Sequence, residues 1–296
     1  MQTMPTLNNT VIDMKSCIQE PPVRQAHDGL ELPAIGFGTY QVKGFDGAEA
    51  IASALDTGYR LLDTAVNYEN EGTIGKAIRM SDVPREDILV TSKLPGRFHQ
   101  YDKVHLAVEE SLCRMGLDYV DLYLIHWPNP SQGLYVEAWQ GLVDACNDGL
   151  IRHIGVSNFL PGHIEMLSQA TGVIPAVNQV ELHPFFQQNE IRQYDEEHGI
   201  ITEAWSPLGR ANQMLRNKVI LEIANKHGVS AVQTILRWHV QIGDVSIPKS
   251  LNPERQRENL FLWDFELDKE DMKRMSLLDN PEGRSRAQDS RWHEEM

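Results

Sequence analysis

The feature of this sequence that most limits its possible folds is a regular alternation of short apolar runs with longer amphipathic segments. The apolar runs have the length and composition of buried strands. The eight of them are residues 32–38, 59–63, 88–94, 120–127, 151–158, 176–182, 200–206 and 245–248. Between them lie helical patterns such as 103–116 and 217–228, each ending at a glycine that suits the C-cap of a helix.

This alternation predicts an α/β fold in which parallel strands are joined by right-handed helical crossovers. Eight repeats in about 250 residues favour a closed (β/α)8 TIM barrel over a doubly wound open sheet. The usual glycine fingerprint for a dinucleotide is missing, because Gln41 stands where the segment GFGTYQ needs its third glycine. We expect an N-terminal hairpin over 24–33 to cover the bottom of the barrel, and one extra C-terminal helix within 267–279.

Composition along the chain predicts three segments. These are a polar N-terminal extension over 1–22, a single (β/α)8 barrel domain over 23–283 and a polar C-terminal tail over 284–296.

Charge and cysteine content narrow the class of partner. The net charge of −15 argues against general affinity for nucleic acid or an anionic membrane. No stretch approaches the roughly 18 apolar residues of a membrane span, and the first residues do not resemble a secretory signal. Cys17, Cys113 and Cys146 lack metal-ligand spacing and are expected to be free thiols. We therefore expect a cytoplasmic monomer or weak oligomer that takes a small molecule and no metal.

Ionisable side chains end three neighbouring predicted strands. Asp63, Lys93 and His126 close the second, third and fourth strands, and the carboxyl ends of barrel strands are where TIM-barrel chemistry is placed. Tyr68 follows in the loop after Asp63 and can lean over the same mouth. Taken singly, each residue also fits a structural role. Asp63 could be a cap, Lys93 a solvated strand end, Tyr68 a packed ring and His126 a buried imidazole. Their convergence on one mouth indicates catalysis.

This set of side chains suits the protonation of an alkoxide. A tyrosine hydroxyl with a pKa of about 10 is a poor acid at neutral pH. An ammonium such as Lys93 lowers that pKa, and a carboxylate such as Asp63 keeps the ammonium charged and oriented. A neutral His126 can donate to a carbonyl oxygen on which charge develops. The sequence offers no metal cluster and no activated nucleophile, so a cofactor has to supply the electrons.

A basic segment over 247–260 points to the cofactor. Lys249 and Ser250 lie on the last loop, Pro253 can begin a helix, and Arg255 follows in its first turn. Loops after the last two strands, together with a helix N-terminus, form the common phosphate site of TIM barrels. A solvated basic face is the alternative, but a basic cluster in an acidic chain favours a bound phosphate.

The ends of three other strands fit the nicotinamide end of such a cofactor. Trp205 can stack on the ring, and Ser157, Asn158 and Gln179 can hydrogen-bond its carboxamide. Taken singly, the tryptophan also fits plain core and the polar residues ordinary loop caps.

At these residues the sequence resembles the aldo-keto reductase family. The segments 58–75, 152–159 and 247–260 are similar to the three characteristic segments of the family. Shorter matches fall between them in family order, namely GFGTY, SKL, LIHWP, NQVELHP and AWSPLG. The resemblance covers about 24–280 and looks closest to the bacterial branch that reduces diketo-gluconates and small carbonyls.

The resemblance implies NADPH-dependent reduction of aldehydes or ketones to alcohols by hydride transfer. Tyr68 would be the general acid, Lys93 and Asp63 would tune it, and His126 would orient the carbonyl. The implied contacts to NADPH or NADP+ are Gly38, Thr39, Tyr40, Asp63, Ser157, Asn158, Gln179, Trp205, Ser206, Leu208, Lys249, Ser250, Arg255, Glu258 and Asn259. Tyr40 and Trp127 would border the substrate pocket.

Two other functions fit parts of the sequence. A barrel glycosidase could pair Asp63 with Glu181, but Lys93, Tyr68 and the basic segment would have no role in it. A binding module could hold NADPH as a sensed ligand with little turnover, although a complete catalytic set argues against lost activity.

Overall fold

The computed structural model describes residues 21–209, 213–285 and 288–295. An antiparallel hairpin comes first, formed by β1 (Val23–Gln25) and β2 (Glu31–Pro33). Eight parallel strands follow in one sheet and pair in sequence order. They are β3 (Phe37–Gly38), β4 (Leu61–Asp63), β5 (Leu89–Leu94), β6 (Val120–Ile125), β7 (Ile151–Ser157), β8 (Val177–Glu181), β9 (Ile201–Trp205) and β10 (Val245–Ser246).

The sheet closes on itself between its first and last strands. Ile35 forms a parallel bridge with Ser246. The backbone N–H of Gly36 donates to the Ser246 carbonyl at 2.8 Å, and that of Gly38 donates to the Pro248 carbonyl at 3.1 Å. The fold is therefore the predicted (β/α)8 TIM barrel and not an open sheet. Each predicted apolar run contains one barrel strand, although the start of the first run belongs to the hairpin.

Helices cover the outside of the barrel. Within the described ranges they are α1 (Gly44–Thr57), α2 (Glu71–Met80), α3 (Tyr101–Met115), α4 (Tyr135–Asn147), α5 (Pro161–Thr171), α6 (Asn189–Glu197), α7 (Lys218–His227), α8 (Ala231–Ile242), α9 (Pro253–Leu260) and α10 (Lys269–Ser276). Gly116 and Gly228 end α3 and α7 in the left-handed conformation, as their positions in the sequence predict. The extra helix expected within 267–279 is α10.

The hairpin covers the bottom of the barrel, as predicted. Leu30 and Leu32 are buried and pack among interior side chains of the barrel strands, including Leu122 and Val177. The backbone N–H of His27 donates at 2.8 Å to the carbonyl of Gly199, just before β9 begins. Because this end of the barrel is sealed, access to its interior is from the carboxyl ends of the strands.

The tail lies across that opposite end. The backbone N–H of Glu295 donates to Asn129 Oδ1 at 2.8 Å, in the loop after β6. The rings of His293 and Trp127 meet with their centroids 4.3 Å apart. The sequence indicates only that this segment is polar, whereas the structure makes residues 288–295 part of the mouth.

Some predictions concern residues that the structure describes only in part. Residues 1–20, and with them Cys17, lie outside the described ranges, whereas Cys113 and Cys146 are free. None of the helices in the described ranges is long and apolar enough to cross a membrane.

Candidate active site

A cavity of about 720 Å³ opens at the carboxyl ends of the barrel strands. Side chains from both ends of the chain contribute to its wall. The lining residues are Gly38, Tyr40, Gln41, Asp63, Asn67, Tyr68, His126, Trp127, Ser157, Asn158, Gln179, Trp205, Ser206, Pro207, Leu208, Ile247, Pro248, Lys249, Gln288 and Glu295. Most of the site residues predicted from the sequence therefore share one cavity.

A buried ion pair lies at the floor of this cavity. Lys93 on β5 is completely buried, and its Nζ lies 2.6 Å from Oδ1 of Asp63 at the end of β4. The same Nζ donates to the carbonyl of Thr64 at 2.8 Å. Burial disfavours the ammonium, but Asp63 together with Tyr68 and Glu203 outweighs burial and leaves the pKa of Lys93 above its usual value. The lysine is therefore a fixed positive charge under the mouth.

Tyr68 lies directly over that charge. It ends a short 3-10 turn, Val66–Tyr68, and its ring centroid is 5.0 Å from Lys93 Nζ. Burial raises the pKa of Tyr68 to about 12, Lys93 acts in the opposite direction, and Asp63 adds to the rise. Lys93 lowers the pKa of Tyr68, as predicted, but burial raises that pKa by more. At neutral pH Tyr68 therefore holds its proton, and the nearby ammonium favours the phenolate that remains once the proton leaves.

His126 packs against the ring of Tyr68. The two rings meet edge to face with centroids 5.8 Å apart. His126 Nδ1 also lies 3.0 Å from the carboxylate of Glu295 in the tail, and Asn67 Nδ2 donates to that carboxylate at 2.8 Å. Burial works against ionisation of Glu295, but His126 and Asn67 outweigh it and lower its pKa. A negative charge from the tail thus lies inside the mouth.

An amide network forms one wall. Trp205 Nε1 donates to Asn158 Oδ1 at 2.8 Å, and Asn158 Nδ2 donates to the carbonyl of His126 at 3.0 Å. Ser157 Oγ donates to the carbonyl of Gln179 at 2.8 Å. Asn158 and Ser206 both have positive φ, 64° and 51°, a conformation that is uncommon outside glycine and clusters at functional sites. The residues predicted to contact a carboxamide therefore stand together.

The first three residues of the basic segment, 247–249, line the cavity near β10. Pro253 is the first residue of α9, as predicted, and Asn252 caps that helix by accepting the backbone N–H groups of Glu254 and Arg255. Lys249 lines the cavity and its Nζ donates to the carbonyl of Tyr40 at 3.0 Å.

Six predicted residues lie outside the cavity wall. Thr39 and Lys93 lie beneath it, Arg255 is exposed on α9, and the others are Ser250, Glu258 and Asn259.

The tail residues were missed by sequence reasoning. Gln288 and Glu295 line the cavity, yet their position depends on where the chain returns after α10, which no local pattern encodes. Asn67 was also missed, although its place beside Tyr68 in the loop after β4 was a usable signal.

The geometry does not support the paired carboxylates of a glycosidase. Glu181 is not among the lining residues of the cavity, and its carboxylate contacts His183 at 3.1 Å and the backbone N–H of Ser285 at 2.6 Å. Asp63 is held by Lys93. In the described part of the chain, no group of three or more His, Cys, Asp or Glu side chains could hold a metal ion.

Comparison with known proteins finds close relatives over nearly the whole chain. A model of the Aldo/keto reductase family matches residues 34–280. The 2,5-diketo-D-gluconic acid reductase B of Corynebacterium sp. (strain SHS752001) is 48% identical over 275 residues, which are 93% of this chain and 99% of the relative. Methylglyoxal reductase DkgA of Escherichia coli (strain K12) is 42% identical over 260 residues, 88% of this chain and 94% of the relative.

Solved structures agree with this result. The crystal structure of an aldo/keto reductase from Brucella melitensis has a TM-score of 0.84 and 43% identity, covering 88% of this chain and 100% of that one. A mutant of Gox0644 crystallised in complex with NADPH has a TM-score of 0.87 and 41% identity, covering 92% of this chain and 98% of that one.

Thermal unfolding of charge variants tests the buried pair. Lys93→Met leaves a carboxylate and Asp63→Asn leaves an ammonium buried without its partner, and each should cost about 3–5 kcal/mol. The double variant buries neither charge, so its melting temperature should exceed that of Lys93→Met. A double variant as unstable as the sum of the two single losses would show that the pair is not coupled.

Proposed function

The chain belongs to the aldo/keto reductase family, and on that premise we propose that it reduces aldehydes or ketones to alcohols with NADPH as the hydride donor. The observation that carries this proposal is the buried Asp63–Lys93 pair beneath Tyr68, with His126 beside the tyrosine at the same mouth. Relatives named for 2,5-diketo-D-gluconic acid and for methylglyoxal suggest small polar carbonyl compounds as the substrate class.

The cavity wall fits a flat ring and a phosphate. A Cβ at Gly38 would lie 2.7 Å from the carbonyl oxygen of Ile247, so the close approach of these two backbone segments at the cavity wall requires glycine. Residues that would hold the nicotinamide half are Gly38, Thr39, Tyr40, Asp63, Ser157, Asn158, Gln179, Trp205, Ser206 and Leu208. Those that would hold the adenosine half and its 2′-phosphate are Lys249, Ser250, Arg255, Glu258 and Asn259. NADPH, when bound, supplies the hydride.

Tyr68 acts as the general acid. Because burial raises its pKa to about 12, the hydroxyl is protonated at neutral pH and can give its proton to the oxygen of the reacting carbonyl. Lys93 stabilises the phenolate that remains, and Asp63 keeps the ammonium charged and in place. His126 donates to the same oxygen and fixes its position.

The tail has to move for this reaction. The Glu295 carboxylate lies 3.0 Å from His126 Nδ1, close to the place that a substrate oxygen must reach. Its negative charge would also oppose the charge that develops on that oxygen. We therefore infer that the tail opens to admit the substrate carbonyl.

The proposal also covers the oligomeric state and the compartment. We propose that the protein works as a monomer or weak oligomer in the cytoplasm, and the free thiols of Cys113 and Cys146 agree with a reducing compartment.

Removal of the tyrosine hydroxyl tests the function. Loss of NADPH absorbance is followed with a panel of aldehydes, ketones and keto acids. Tyr68→Phe should lower kcat by at least about 10², the usual loss for a general acid, while NADPH affinity stays nearly unchanged. Tyr101→Phe is the matched control, because Tyr101 is exposed on α3. A Tyr68→Phe enzyme with near wild-type kcat would contradict the assignment.

Cofactor preference tests the basic segment. Arg255→Ala should raise KM for NADPH about tenfold or more and leave KM for NADH nearly unchanged, because only NADPH carries the 2′-phosphate. Arg257→Ala is the control, because Arg257 is also exposed and lies two residues further along α9. Equal weakening of both cofactors, or a wild type that prefers NADH, would show that the phosphate lies elsewhere.

Removal of the tail carboxylate tests its competition with substrate. Glu295→Ala should lower KM for a small aldehyde by about threefold or more, because less of the enzyme is held in a state that excludes substrate. Glu190→Ala is the control, since Glu190 is exposed on α6 and does not line the cavity. An unchanged or higher KM in Glu295→Ala would refute the competition.

A further inference from the structure

A buried carboxyl group on β9 has no part in the mechanism above. Glu203 is completely buried and lies in the middle of that strand, where an apolar residue is the usual choice. In the parallel register of β8 and β9 it stands directly opposite Gln179. A position of this kind is costly for a carboxyl group, so the contacts of Glu203 need a reason.

Those contacts converge on one amide nitrogen. Gln179 Nε2 donates to Asp63 Oδ1 at 2.8 Å and to Glu203 Oε2 at 2.7 Å. A side-chain amide has two N–H groups on its nitrogen, and these two acceptors use both. Turning the amide over would place its oxygen against two carboxyl groups, one of them the ionised partner of Lys93. The orientation of Gln179 is therefore determined by its neighbours.

This orientation decides what Gln179 offers to the cavity. With both N–H groups used by Asp63 and Glu203, the polar atom of the amide that remains for a ligand is the carbonyl oxygen Oε1. Gln179 lines the cavity, so the group it presents to a ligand is an acceptor. Asp63 alone uses one N–H, and without Glu203 the other N–H would be buried with no partner.

The charge state of Glu203 is consistent with this arrangement. Burial and the nearby charge of Asp63 raise the pKa of Glu203 well above that of an exposed glutamate. The group therefore stays uncharged to a higher pH, and its carbonyl oxygen accepts from Gln179 without a second negative charge beside the Asp63–Lys93 pair.

We propose that Glu203 is a positioning residue that, together with Asp63, fixes the amide of Gln179 so that its oxygen accepts a hydrogen bond from the carboxamide NH2 of the nicotinamide. This inference rests on the proposed function, since it assumes that the nicotinamide end of the cofactor lies against Gln179. Glu203 acts on the cofactor through Gln179 and touches no reacting atom.

The test compares two dinucleotides by equilibrium binding, without turnover. One is NADP+, and the other is its 3-acetylpyridine analogue, in which a methyl ketone replaces the carboxamide and removes the NH2 donor. Wild type should bind NADP+ about tenfold more tightly than the analogue, the size expected for one hydrogen bond. Glu203→Met removes the acceptor for Gln179 and should reduce this ratio to about twofold or less.

A conservative variant separates positioning from structural support. Glu203→Gln keeps an oxygen that accepts from Gln179 and should retain the wild-type ratio. Glu203→Ala is measured beside Glu203→Met, so that the conclusion does not depend on a single variant. Thermal unfolding shows which variants are folded. A purely structural role would weaken binding of both dinucleotides equally and leave the ratio at the wild-type value.

The outcomes are distinct. A ratio that falls in Glu203→Met and Glu203→Ala but not in Glu203→Gln supports the proposal. A wild type without preference, or an unchanged ratio in Glu203→Met or Glu203→Ala, overturns it. A folded wild type that binds neither dinucleotide would overturn the proposed function itself, and this inference with it.

Discussion

The site depends on one buried contact, the ion pair between Lys93 and Asp63. Taking both charges out of water is expensive, and an apolar pair of similar volume is often as stable. The barrel register makes the contact possible. Asp63 pairs with Thr91 across β4 and β5, and Lys93, two residues further along β5, lies on the same interior face as Thr91. Because such a pair contributes little to stability, we attribute its presence to its chemical role. It places a permanent ammonium beneath Tyr68.

The same pair organises the rest of the floor. The Asp63 carboxylate that holds Lys93 also accepts an N–H of Gln179, which in turn contacts Glu203 on the next strand. Four strands of the barrel are thus joined through polar contacts below the mouth. Above the mouth, the carboxylate of Glu295 lies 3.0 Å from His126 Nδ1, and we propose that this part of the tail moves when substrate binds.

The sequence predicts which strand ends and which helix start form this site, because each of them is encoded by a local sequence pattern. Asp63, Lys93 and His126 could be placed at one mouth from strand periodicity alone, since parallel strands in a barrel all end on the same face. The start of α9 could be placed from Pro253. Glu203 was a missed signal, because a charged residue inside the run 200–206 indicates a buried polar role.

The remainder could not be predicted, because it depends on contacts between distant parts of the chain. Glu295 reaches His126 because the tail is held by several contacts, among them those with Asn129 and with the ring of Trp127. The net rise in the pKa of Tyr68 follows from how deeply the ring is buried, which no spacing encodes. The direction of the Gln179 amide likewise depends on two side chains from other strands.

The central claim is that the charge of Lys93, held in place by Asp63, makes Tyr68 a stronger acid than burial alone allows. The direct measurement replaces Tyr68 with a fluorinated tyrosine, whose phenol titrates at lower pH, and follows its pKa by 19F NMR. We expect Lys93→Met to raise this pKa by about one pH unit or more. An unchanged or lower pKa in a folded Lys93→Met protein would contradict it.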